Sequence, residues 1–134
     1  MEAGKIATLR KGFDITLLGL GITVHLCLEA AELLAKEGIS AAVLEVHTLK
    51  PLDEAAIIQA ANQTGHLLTV EEHSILGGLG SAVAEVIAEK APARLKRLGL
   101  MDCFGESGKP AELLAKYGFT PENIVQQARA LLAR

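Results

Sequence analysis

The sequence predicts a three-layer α/β/α domain built on a mostly parallel five-stranded sheet. Three observations carry that expectation. Short apolar, β-compatible runs alternate with Ala- and Leu-rich stretches whose apolar residues recur at helical spacing. Those helical stretches have the length of about 12–15 residues that a crossover between parallel strands needs. The strand candidates are almost continuously apolar, the pattern of strands covered on both faces.

Element by element, residues 5–10 offer a short extra strand, and residues 14–21 a buried strand that closes in a Gly-rich turn. Residues 23–37 form a helix in which Leu26, Ala30, Leu33 and Leu34 recur on one face, stopped by Gly38. A second buried strand covers residues 40–46. The turn Leu49-Lys50-Pro51-Leu52 then sets Asp53 as the N-cap of a helix over 54–63, with Ala56, Ile57, Ala60 and Ala61 facing inward and Gly65 at its end. Residues 66–71 are a third buried strand. Gly77-Gly78-Leu79-Gly80 leads into a helix over 81–91 with Val83, Val86 and Ile87 inward, closed by Pro92. Residues 93–100 are the last strand. Two helices follow, over 109–117 and 120–133, the second capped by Thr120 with Pro121 at its first position. No linker, low-complexity tract or repeat interrupts this series, so residues 1–134 are expected to form a single domain.

Composition removes several function classes. Half of the 134 residues are apolar, which excludes a disordered chain. No run reaches the roughly 18 uncharged apolar residues of a spanning helix, so no membrane role is expected. The net charge is −3, with 13 Lys and Arg scattered among 16 Asp and Glu, so there is no basic face for nucleic acid. Trp is absent and only one Tyr and three Phe remain, too few for base-stacking platforms. The first residues carry no apolar signal core, and two distant cysteines make no disulfide framework; both fit a reducing, cytoplasmic setting.

In an open parallel sheet, function gathers beyond the carboxyl ends of the strands. Gly19-Leu20-Gly21 with Thr23 and His25, then His47-Thr48, then Glu71-Glu72-His73-Ser74 all arrive there. His25, His47 and His73 are therefore expected on one rim with Glu71 and Glu72, and His66 at the opposite end. One reading of this rim is an acid/base or metal site, since a His beside a carboxylate is tuned near neutral pH. The other is a wet edge that touches another polypeptide. Neither H-E-x-x-H nor H-x-x-E-H spacing occurs, which favours the second.

The remaining motifs weigh the same way. Gly19-x-Gly21 lacks the third glycine of a dinucleotide turn, for Val24 stands in its place. Gly77-Gly78-Leu79-Gly80 has no Lys-Ser/Thr after it and so is no phosphate loop. Its glycines permit close approach of an anion or of another domain, the latter being preferred. Around Ser107, Gly105 fits a nucleophile elbow but Lys109 occupies the position of its closing glycine. Cys27 reads as a packing residue and Cys103 has no identifiable base beside it.

Several segments resemble the C-terminal domain of transketolase and its thiamine-diphosphate relatives. They are Gly12-Phe13-Asp14-Ile15-Thr16-Leu17-Leu18-Gly19-Leu20-Gly21, Val46-His47-Thr48-Leu49-Lys50-Pro51-Leu52-Asp53, and Thr69-Val70-Glu71-Glu72-His73-Ser74-Ile75-Leu76-Gly77-Gly78-Leu79-Gly80-Ser81-Ala82-Val83. The tail Phe104-Gly105-Glu106-Ser107-Gly108-Lys109-Pro110, with Tyr117-Gly118-Phe119-Thr120-Pro121-Glu122-Asn123-Ile124-Val125, is similar to the transketolase branch, particularly its split form. The P-L-D and E-E-H-x-x-x-G-G-L-G pieces also resemble 2-oxoacid dehydrogenase β subunits and deoxyxylulose-phosphate synthases.

The resemblance implies an enzyme of the pentose phosphate pathway that transfers a two-carbon ketol unit between sugar phosphates with thiamine diphosphate and Mg2+. It implies also that this chain binds neither cofactor nor metal and supplies no catalytic residue. The family's G-D-G and N-N diphosphate motif has no counterpart here. Its partners would be the pyrimidine-binding and diphosphate-binding domains, in a homo-oligomeric full enzyme, with Glu72, His73, Gly77 and Gly78 at the contact. Two alternatives stay open: the equivalent domain of a 2-oxoacid dehydrogenase β subunit, and a free-standing interaction module without enzymatic activity.

Overall fold

The computed structural model describes residues 5–72, 78–100 and 120–133. Its elements are β1 (Ala7–Arg10), β2 (Ile15–Leu20), α1 (Thr23–Lys36), β3 (Ala41–Val46), α2 (Glu54–Thr64), β4 (His66–Glu72), α3 (Leu79–Glu89), β5 (Arg94–Leu100) and α4 (Pro121–Leu132). The sheet order is β1-β3-β2-β4-β5. Strands β3, β2, β4 and β5 run parallel, and β1 lies antiparallel against β3. The expected mostly parallel five-stranded sheet is therefore present. The antiparallel sense of β1 follows from its connection: residues 11–14 are too few for a crossover helix. The helix expected over 109–117, Cys103 and Ser107 lie outside the described residues.

Strand alternation splits the core into two layers. Ile15, Leu17, Val43, Leu68 and Val70 face α1 and α4, meeting Cys27, Ala30, Leu34, Ile124 and Leu131. Leu18, Leu44 and Leu67 face α2 and α3, meeting Ile57, Leu79, Val83 and Ile87. Each large side chain buried this way contributes about 1.5–3 kcal/mol of transfer free energy. On α1 the buried stripe is Val24, Cys27, Ala30, Ala31 and Leu34, whereas Leu26 and Leu33 are half-buried. The inward face thus sits slightly rotated from the expected one.

The helix ends follow local chemistry. Asp53 Oδ1 accepts from the Ala56 amide at 3.3 Å, and its Oδ2 accepts from Ile6 at 3.0 Å, so one carboxylate caps α2 and ties down the segment before β1. Gly65 closes α2 with φ 68°, a left-handed conformation that favours glycine. Thr120 Oγ1 accepts from the Asn123 amide at 3.2 Å, with Pro121 in the first turn of α4. Arg129 of α4 makes a two-pronged ion pair with Glu37 just beyond α1, its Nε 2.8 Å from Oε1. This clips together the two helices of one layer.

Candidate functional site

The four parallel strands end on one edge, at Leu20, Val46, Glu72 and Leu100. At the β2 end, a Cβ on Gly19 would lie 2.9 Å from Val24 Cα, and Gly21 has φ 66°. These glycines serve close strand–helix packing and a tight turn. Directly after them, the buried Thr23 hydroxyl accepts from the Leu20 amide at 3.0 Å and donates to the Val70 carbonyl at 2.7 Å. The α1 start is thereby joined to both β2 and β4.

Glu71 departs furthest from the sequence reading. It belongs to the rim in chain position, yet its side chain is 0 % exposed. Oε1 accepts from the Leu79 amide at 3.1 Å and Oε2 from the Gly80 amide at 2.9 Å. The residue at the cap position of α3, Gly78, provides no side-chain cap, and the first turn contains no acidic residue. Glu71 supplies both functions from the preceding strand, a carboxylate on the positive end of the helix dipole. Charge-assisted bonds to two amides offset the burial of the charged group. A Cβ on Gly80 would fall 2.7 Å from Arg97 Cδ and 3.2 Å from Glu71 Oε2, so the aliphatic stem of Arg97 packs over this junction. Sequence reasoning missed this cap, because the acceptor comes from the preceding strand and no residue next to the helix start announces it.

Among the described residues, His25 and His47 do not share one centre. His25 Nε2 lies 3.1 Å from Glu29 Oε1 within α1, and His47 Nε2, just beyond β3, lies 3.5 Å from Glu45 Oε1. Each is a separate, largely local pair. His66 opens β4 at the opposite edge, as its position predicts, with Nδ1 3.0 Å from the Thr64 carbonyl. His73 and Gly77 lie outside the described residues. Glu72 and Gly78 flank the edge, and both are half-buried.

Beside Gly78 a cleft of about 570 Å3 runs between the β3–α2 connection and α3. Its walls include Lys50, Pro51, Ser81, Glu85 and Lys90, and the Lys50–Pro51 peptide is cis. Lys90 pairs with Glu54 there, which raises the lysine pKa through a side-chain hydrogen bond. Charges of both signs line the cleft, so it has no dominant field to select an anion. Cys27 is fully buried and its thiol is pushed up to about 12 by desolvation, which leaves it unreactive.

Among the described residues, the start of α3 does not offer its first amides to a diphosphate, because those of Leu79 and Gly80 are taken by Glu71. Among the described residues no group of three or more His, Cys, Asp or Glu side chains gathers to hold a metal. None of the described helices is long and apolar enough to cross a membrane.

Residues 4–124 match the family model of the transketolase C-terminal domain. The chain is 48% identical over 131 residues to the 6-deoxy-6-sulfo-D-fructose transketolase subunit SqwH of Clostridium sp. MSTE9, covering 98% of this chain and 41% of that protein. It is 43% identical over 135 residues to 1-deoxy-D-xylulose-5-phosphate synthase of Symbiobacterium thermophilum, covering 100% of this chain and 21% of that one. Among solved structures, a split-gene transketolase in an inactive β4 tetramer superposes with a TM-score of 0.88 at 44% identity, covering 99% of this chain and 44% of that chain. The chain thus spans less than half the length of each of these relatives. With the sheet order, the helix layers and the family match in agreement, the chain belongs to the transketolase C-terminal domain family.

Proposed function

We propose that this chain is the assembly domain of a transketolase-type enzyme. The complete enzyme moves a two-carbon ketol unit between sugar phosphates with thiamine diphosphate and Mg2+, in the cytoplasm. Cofactor and metal are held by pyrimidine-binding and diphosphate-binding domains, and the present chain packs against them and supports their homo-oligomer. Glu72, His73, Gly77 and Gly78 make the contact, with His25 and His47 on the neighbouring rim. The observation that carries this reading is the occupied helix start: Glu71 fills the Leu79 and Gly80 amides from within, so the start of α3 is not an open anion site. A half-polar edge with small residues suits docking between domains, whose interfaces are usually mixed in character.

A second reading is the same domain in a 1-deoxy-D-xylulose-5-phosphate synthase, favoured by the 43% identity to that relative across this chain. One experiment separates the two. The purified chain is mixed with separately expressed pyrimidine- and diphosphate-binding domains, then assayed with a ketose phosphate donor and an aldose phosphate acceptor. In parallel it is assayed with pyruvate and an aldose phosphate. Ketol transfer that appears only on mixing supports the first reading, and pyruvate-dependent synthesis supports the second. Activity of the cofactor domains that ignores this chain would leave a free-standing interaction module.

A further inference from the structure

We infer that Glu71 is the positioning residue of the docking edge; the inference rests on the assembly reading above. The start of α3 is pinned twice, from the core by the Leu79 side chain, which is 0 % exposed, and from the sheet by the Glu71 carboxylate. Glu72 directly follows one end of this clamp and Gly78 directly precedes the other. The separation of Glu72 and Gly78, two of the four proposed contact residues, is therefore set by a pair of hydrogen bonds, at 3.1 and 2.9 Å, between β4 and α3. Neighbouring residues on a strand point to opposite faces. Glu71 thus works beneath the α3 start, while Glu72 belongs to the other face.

A contact made by residues already fixed in place costs less ordering entropy than one made by residues free to move. Glycine at position 80 belongs to the same device, since any Cβ there would press on Arg97 and on Glu71 Oε2. Among the described residues nothing local replaces the clamp. Without Glu71, two amides at a buried helix start lose their acceptors, because Gly78 offers none.

The test measures affinity of the purified chain for the separately expressed pyrimidine-binding domain, by calorimetric titration. Four variants are compared: Glu71→Gln, Glu72→Lys, Gly80→Ala and Val83→Ala. The last removes buried α3 packing away from the clamp and serves as a control for lost stability. Glu71→Gln should weaken docking by about tenfold, while Val83→Ala, at equal or larger loss of stability, stays within about twofold. Amide exchange at Leu79 and Gly80 should quicken in Glu71→Gln and not in Val83→Ala. Should Glu71→Gln fail to fold, Gly80→Ala provides the same comparison. Docking that falls only in proportion to stability in every variant overturns the positioning role. Normal docking by Glu71→Gln with weakened docking by Glu72→Lys overturns it while sparing the assembly reading. Normal docking by both overturns the two together.

Discussion

The hydroxyl of Thr23 lies 2.7 Å from the carbonyl of Val70 and donates to it, joining the first turn of α1 to the end of β4. The same oxygen accepts from Leu20, so one buried side chain stitches two strands and a helix at the carboxyl edge. Thr23→Val keeps the shape and removes both bonds. It should cost about 1–3 kcal/mol, since the Leu20 amide and Val70 carbonyl each lose a partner away from water. Urea unfolding of the two proteins gives the answer, and an unchanged midpoint at unchanged slope would show the stitch to be dispensable.

Gly12 passes so close to β3 that an added Cβ would sit 2.3 Å from the Ala41 carbonyl carbon and from the Ala42 nitrogen. Backbone cannot step aside as the tip of a flexible side chain can. Gly12→Ala should therefore destabilise the domain by about 1–3 kcal/mol, the usual cost of overpacking. Thermal unfolding followed by circular dichroism tests this, and a variant as stable as the parent would mean that β1 and its connection shift freely.

How far the sequence discloses its structure depends on the range of each signal. Helices α2 and α4 are legible because their punctuation is local: Asp53 and Gly65 for one, Thr120 and Pro121 for the other. The start of α3 is not, because its cap arrives from Glu71 in the preceding strand and lets the helix begin at Leu79, two residues ahead of Ser81. The edge itself is legible from strand direction alone. The pairing of side chains on it is less so: His25 finds Glu29 one turn along its own helix, and His47, just past β3, finds Glu45 two residues back. Both spacings stood in the sequence, and both divide the histidines between partners of their own.

The ion pair that clips α1 to α4 makes stability depend on pH in a defined sense. The hydrogen bond from Arg129 holds the Glu37 carboxyl below the ordinary carboxylate range, outweighing the opposing effect of desolvation. The unfolded chain then takes up the proton more readily than the folded one, so acid favours unfolding. The contribution is complete above the unfolded carboxyl value and is lost as pH falls through the lowered folded value. Stability of the parent and of Glu37→Gln, compared from neutral pH down to about pH 3, should differ at neutrality and converge in acid. Because the pair is exposed, the difference should also shrink in about 1 M salt. A gap that stays constant across this range would mean that the glutamate acts by packing alone.

The central claim is that this chain lends the enzyme a docking surface and leaves its chemistry to other domains. Isothermal titration of thiamine diphosphate with magnesium into the purified chain tests this most directly. The account predicts no saturable heat from the chain by itself, and binding only once the pyrimidine- and diphosphate-binding domains are added. Saturable one-to-one binding of the cofactor by this chain alone would contradict it.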